Sequence, residues 1–198
     1  MPANDESEYG SAQIKDARPA KLAFNSQVPN MPKQLVAYYS WTGNTAKVAK
    51  LLAEKLSADI EEIHEVKPRS GLFSFVATVV DSVLKRSPPI LRPTKNVADY
   101  DIVILGCPVW APNMATPMRT YIMRENPRIK QVALFCTLGG SGGKLALGRM
   151  AALCGRTSLA DLIVEQPELA SGKWRGLTES FARQVQKIEA ESSAVVCA

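Results

Sequence analysis

Three stretches of the chain are apolar without a break: residues 35–39, 102–106 and 132–136. A strand with no polar alternation is covered on both faces, the pattern of a parallel sheet lying between helices. Elsewhere apolar residues recur at helical spacing. Val48, Ala49, Leu52 and Leu56 mark one face of a helix over 45–57. Two further strands are read at 60–66 and 158–165. In the first, Ile60, Glu62 and His64 share one face and Glu61, Ile63 and Glu65 the other, so both faces carry charge and the strand suits a sheet edge. Helices are predicted over 71–86, 115–124, 144–154 and 174–191. The first of these carries the pairs Leu72/Phe73, Phe75/Val76, Val79/Val80 and Val83/Leu84, a broad stripe read as core packing. Ser87-Pro88-Pro89 stops it. Pro117 falls in a first turn, where its missing N–H costs nothing, and Gly155 is placed to end the helix over 144–154.

Strands alternating with helices through short connections predict a three-layer α/β sandwich. Its parallel sheet would have five strands in the order 2-1-3-4-5, with helices on both faces. In such a sheet the ligand sits outside the carboxyl ends of the strands, where the order reverses. The connections after strands one, three and four fall at that edge, and each has a marked composition. The first is Ser40, Trp41, Thr42, Gly43, Asn44 and Thr45. The second, after Cys107, is Pro108, Val109, Trp110, Ala111, Pro112 and Asn113. The third is Thr137, Leu138, Gly139, Gly140, Ser141, Gly142 and Gly143.

The first connection concentrates hydroxyl and amide side chains in one turn, with a glycine that lets the backbone approach a ligand. Asn44 or Thr45 is expected to cap the helix that follows. A helix N-terminus offers unpaired N–H groups and a positive dipole end, so phosphate is a natural occupant. A capped helix with no ligand is the plainer alternative. No Gly-x-Gly-x-x-Gly and no Gly-Lys-Ser/Thr occurs here, which sets aside the dinucleotide fold and the P-loop.

Ser-x-Thr-Gly-Asn-Thr after a first strand closely resembles the phosphate loop of the flavodoxin-like superfamily. The resemblance covers residues 35–187. It implies a flavodoxin-like fold and FMN as cofactor. Ser40, Trp41, Thr42, Gly43, Asn44 and Thr45 would hold the 5′-phosphate through hydroxyls and backbone N–H groups, with no basic residue between positions 40 and 46. Pro108, Val109, Trp110, Ala111 and Asn113 would flank the isoalloxazine, where Trp110 could stack on the ring or shield it. Thr137, Leu138, Gly139, Gly140, Ser141 and Gly142 would close over the other side and the pyrimidine edge.

Composition adjusts this picture in a few places. The 198 residues suit one domain at 33–191, after a weakly patterned extension at 1–32 and before a frayed tail at 192–198. The first twenty residues are polar and include Asp5, Glu6, Glu8 and Asp16, unlike a secretory or transit segment, so the cytoplasm is expected. Four cysteines without Cys-x-x-Cys spacing and a single histidine, His64, give no metal pattern, and no residue is marked as catalytic. The net charge of +5 contrasts with the acidic electron carriers of the superfamily. Residues 67–95 hold six basic residues (Lys67, Arg69, Lys85, Arg86, Arg92, Lys95) against Asp81, an excess equal to the whole net charge. This is a solvated face or a docking surface for an anion. The third loop also lacks the aromatic residue that stacks on the flavin in those carriers.

Three functions follow from the resemblance. The first is an NAD(P)H-dependent oxidoreductase that reduces a quinone or similar small acceptor by hydride transfer at flavin N5, with residues 67–95 attracting the nucleotide phosphates. The second is an electron-transfer protein serving a redox partner protein. The third is a flavin-binding regulatory or scaffolding protein without turnover. No nucleic-acid partner and no integral membrane segment are expected, and a homodimer is a candidate assembly.

Overall fold

In the computed structural model, which describes residues 32–66 and 87–196 with side chains to Glu191, strand β1 (Gln34–Tyr38) lies inside a parallel sheet. Val36 pairs with Ile60 of β2 (Asp59–Glu62) on one side and with Ile104 of β3 (Ile102–Trp110) on the other. Strand β5 (Gln131–Leu138) follows β3, and β6 (Asp161–Glu165) forms the far edge. A short β4 (Asn113–Met114) pairs antiparallel with the end of β3 and lies off the main path, which runs β2-β1-β3-β5-β6. With β4 set aside, the five parallel strands stand in the expected 2-1-3-4-5 order. The expected helix at 71–86, the extension at 1–32 except Pro32, and the basic residues Lys67, Arg69, Lys85 and Arg86 lie outside the described residues.

Alternation along each strand sorts side chains into two cores. Leu35 and Ala37 of β1, Val103 and Leu105 of β3, and Val132 and Leu134 of β5 face one side. They meet Met118, Tyr121 and Ile122 of α2 (Thr116–Glu125) and Leu147, Met150 and Cys154 of α3 (Gly143–Cys154). Val36, Ile102, Ile104, Ala133 and Phe135 face the other. There they meet Val48, Ala49, Leu52 and Leu56 of α1 (Asn44–Leu56) and Phe181, Ala182 and Val185 of α5 (Trp174–Val196). Each fully buried aliphatic side chain stabilises the fold by roughly 1.5–3 kcal/mol, so two such layers fix which edge of the sheet presents the loops.

Several boundaries differ from the sequence reading. β2 stops at Glu62 rather than residue 66, and His64 beyond it is exposed. β3 runs four residues further than expected, from Gly106 to Trp110, because β4 folds back on its end. β6 begins at Asp161, and a short helix α4 (Gln166–Ser171) follows it directly. α4 starts with a capping box in which Glu165 and Glu168 satisfy each other's backbone N–H groups. α5 continues to Val196, past the expected end at Glu191, since no Gly or Pro occurs between residues 177 and 196. Gly155 ends α3 in the left-handed region at φ 62, as expected. Among the described residues no helix is long and apolar enough to cross a membrane.

Candidate functional site

Parallel strands carry the connections after β1, β3 and β5 to one edge of the sheet, and side chains then join them. In the first loop Gly43 has φ 85 and occupies the N-cap position of α1, with no side chain capping it. Asn44 and Thr45 therefore lie inside the helix instead of capping it. Ser40 takes part of the capping role from outside: its Oγ accepts the Ala46 N–H at 3.2 Å. Accepting through a lone pair leaves the Ser40 hydroxyl proton free to be donated elsewhere. The first helical bond runs from Lys47 N–H to the Gly43 carbonyl at 3.1 Å, so the N–H groups of Asn44 and Thr45 precede the ladder. The first turn of α1 carries no acidic residue to oppose an anion. Thr42 is exposed.

The second loop is a hairpin rather than an irregular connection. Pro108, Val109 and Trp110 belong to β3, and Trp110 pairs with Asn113 across Ala111 and Pro112. Pro108, Val109 and Ala111 are half-buried, and Asn113 is buried with its Oδ1 accepting the Met114 N–H at 3.0 Å. Trp110 is only 9% exposed. Its ring meets Tyr39 at 5.6 Å and Trp41 at 5.5 Å, edge-on in both cases. This placement makes Trp110 a wall of the site, while the half-buried Trp41 is the more open of the two tryptophans.

The third loop leaves β5 after Thr137 and Leu138, both buried, and turns through exposed Gly139, Gly140 and Ser141 into α3. Gly142 is the N-cap of α3 at φ 98.

Each loop touches both others. The Thr45 and Thr137 hydroxyls are 2.8 Å apart and buried, joining the first loop to the third. Trp41 against Trp110 joins the first to the second. A Cβ added to Gly142 would come within 2.6 Å of Pro112 Cβ, so the second and third pack backbone to side chain at that point. Arg149 Nη1 also donates to the Pro112 carbonyl at 2.8 Å. Sequence periodicity gave no sign of Arg149 or of Tyr39 as members of this cluster, because one sits on an exposed helical face and the other ends an apolar run. By contrast, a Cβ at Gly43, Gly139 or Gly140 would meet nothing within 4 Å, so these glycines border open space and not core.

The buried thiols of β3, β5 and α3 are not part of the site chemistry. Burial pushes Cys107 up to about 12 and Cys154 up to about 11, and raises Cys136 as well. Such thiols stay protonated and unreactive near neutral pH. His64 is exposed beyond the end of β2 and belongs to none of the three loops.

The flavodoxin family model matches residues 33–161, more than half of the chain. Among solved structures, the flavoprotein in complex with FMN from Lactobacillus acidophilus NCFM is 23% identical with a TM-score of 0.61, over 72% of this chain and 98% of that one. The apo-form of the Lactobacillus acidophilus NCFM flavoprotein gives 24%, 0.54, 72% and 97%. The flavodoxin, WrbA-like protein from Agrobacterium tumefaciens gives 17% and 0.53, over 81% of this chain and 98% of that one. At these identities the likeness is one of fold.

Proposed function

Since the chain belongs to the flavodoxin family, we propose that its three joined loops hold FMN and that it works as an NAD(P)H-dependent oxidoreductase reducing a quinone or similar small acceptor. The observation that carries this reading is the turn at the start of α1. Ser40 Oγ is bonded to the first turn of α1, Thr42 is exposed in the same loop, and the Asn44 and Thr45 N–H groups precede the helical ladder at a positive helix end whose first turn has no acidic side chain. That donor set suits a phosphate. FMN bound there would supply hydride transfer at N5, and the protein supplies position and electrostatics. Thr45 contributes its backbone N–H, since its hydroxyl is directed to Thr137. Pro108, Val109, Ala111 and Asn113 flank the ring with Trp41 and Trp110. Leu138, Gly139, Gly140, Ser141 and Gly142 supply backbone partners for its polar edge.

Two features favour a small-molecule acceptor. Gly139 and Gly140 put no side chain over the site. Lys144 and Arg149 lie exposed on the helix leaving the third loop, where they can attract nucleotide phosphates. Of the candidates for that task from sequence, Lys95 lies elsewhere, bonded through its N–H to Glu61 and 3.8 Å from Asp59 at the beginning of β2, and Arg92 lies on the same segment beside that edge strand. The free, buried state of Cys107, Cys136 and Cys154 accords with a reducing compartment such as the cytoplasm.

Steady-state oxidation of NADH and NADPH with a benzoquinone, on FMN-loaded protein, tests the proposal. Turnover well above that of free FMN supports it. The family match favours a second reading, an electron carrier. Reduction by a protein donor with no quinone turnover would establish that reading instead. Binding without turnover by either route would leave a regulatory role.

Thr42→Ala is expected to raise the FMN dissociation constant ten- to a hundredfold, about 1.4–2.7 kcal/mol, the range of one charge-assisted hydrogen bond. Riboflavin, which has no phosphate, should be little affected. Fluorescence quenching with the two ligands measures both. Equal losses would mean that the turn holds no phosphate.

A further inference from the structure

We propose a second anion site, for a ligand carrying two or more phosphoryl groups, in the basic cavity between the 92–96 segment and the end of α2. The cavity has a volume of about 330 Å³ and is lined by Arg92, Thr94, Lys95, Asn96, Arg124 and Arg128, together with Pro93 and Glu125. Asn96 leads toward β3, and Arg124 and Arg128 toward β5, so the cavity lies where the strands begin, away from the loops that follow their ends. It is therefore independent of the FMN proposal.

Two buried carboxylates build its walls. The Glu125 side chain is 2% exposed and pairs with Arg124 Nε at 3.4 Å and with Arg128 Nη2. Arg128 Nη1 also donates to Asn96 Oδ1 at 3.3 Å. Glu61, 6% exposed, accepts the Thr94 N–H at 2.8 Å, the Thr94 hydroxyl at 3.2 Å and the Lys95 N–H at 2.6 Å. The second carboxylate thus fixes the course of the segment bearing Arg92 and Lys95. The first orients two guanidinium groups, each of which keeps further N–H donors to give.

Four cations line the cavity with Glu125, and the Glu61 carboxylate is bonded to the Thr94–Lys95 backbone behind it, so four positive charges stand against two negative ones. Lys95 Nζ lies 3.8 Å from Asp59 Oδ1. A solvated basic face would need no buried carboxylates to hold its side chains. Here the arginines are pre-oriented, which lowers the entropy lost when a bidentate anion is bound. The volume falls at the small end of ligand pockets, and four separate cations offer donors to more than one phosphoryl group.

The test is isothermal titration of the FMN-loaded full chain with tripolyphosphate and, separately, ADP. Saturable 1:1 binding is expected. Arg92→Gln with Lys95→Gln should weaken it at least tenfold and leave the flavin spectrum unchanged. This pair is preferred because Glu125 keeps both of its arginines. Arg124→Gln is the second variant, with the same loss expected. Lys173→Gln with Lys187→Gln, exposed in the turn before α5 and on α5 itself, should have no effect. Tighter ADP binding would identify a nucleotide as the source of the phosphates, and tighter tripolyphosphate binding an inorganic chain. No binding to the parent protein, equal losses in the control pair, or saturable binding of poly-glutamate without tripolyphosphate would each overturn the proposal.

Discussion

Gly43→Val is expected to raise the FMN dissociation constant at least a hundredfold while leaving the protein folded. The residue has φ 85, and a Cβ there would meet no protein atom within 4 Å. The fold therefore suffers only the cost of a side chain in the left-handed region, roughly 1–2 kcal/mol. The proposed ligand suffers more. Gly43 stands at the N-cap, and its carbonyl begins the α1 ladder. A branched side chain there would stand in the approach to the Asn44 and Thr45 N–H groups, and relieving φ would turn those groups away. Loss of one or two charge-assisted hydrogen bonds, about 1.5–3 kcal/mol each, sets the hundredfold scale. Flavin titration beside a thermal melt of the apoprotein separates the effects. Unchanged FMN affinity would remove the turn from the binding site, and an unfolded apoprotein would show that Gly43 is needed chiefly for the fold.

Gly106→Ala should damage the fold instead. A Cβ at this position would lie 1.9 Å from Phe135 Cζ, and both residues are buried in the paired centre of β3 and β5. The phenyl ring sits directly on the glycine, so the methyl cannot be accommodated without moving it. Overpacking of this kind costs roughly 1–3 kcal/mol, and this case belongs at the upper end. For a domain of this size that corresponds to a fall in melting temperature of about 6–12 °C. Phe135→Leu in the same chain should restore part of the loss. A double variant less stable than the sum of the two single losses would show that the ring is not the obstacle.

Gly106 also shows where a sequence is legible. Its place at the end of an apolar run was readable, but its need for an empty Cβ position depends on Phe135, a partner 29 residues away. The burial of Val48, Ala49, Leu52 and Leu56 on α1 and the strand order were readable because each follows from local period and from the parallel topology. The extension of β3 was not. Pro108 and Pro112 read as loop residues, and only the pairing of Val109 with Met114 and of Trp110 with Asn113 makes that segment a hairpin. The α4 helix left a readable signal in Glu165-Gln166-Pro167-Glu168, a capping box with proline in the first turn, but its polar sequence has no periodic stripe to draw attention. At the site, the loops could be placed on one edge from topology alone. Which hydroxyl faces which depends on side-chain contacts, and Thr45 read as a phosphate ligand is bonded to Thr137 in the structure. The orientation of Trp110 was hidden for the same reason: its neighbours Tyr39 and Trp41 belong to the connection that follows another strand, β1.

The Thr45–Thr137 hydroxyl pair spans 92 residues of chain. During synthesis the turn after β1 leaves the ribosome long before β5 does. At about 5–20 residues per second the two threonines emerge roughly 5–20 s apart. Closing so long a loop must await the docking of β5 on β3, a non-local step of the kind that slows folding. The proposed pocket is thus completed late, and a nascent chain ending at α2 would carry the phosphate turn without its partner. Flavin capture then becomes a clock for the maturation of the sheet: its onset in a refolding experiment should coincide with the pairing of β5 with β3 and not with the formation of α1.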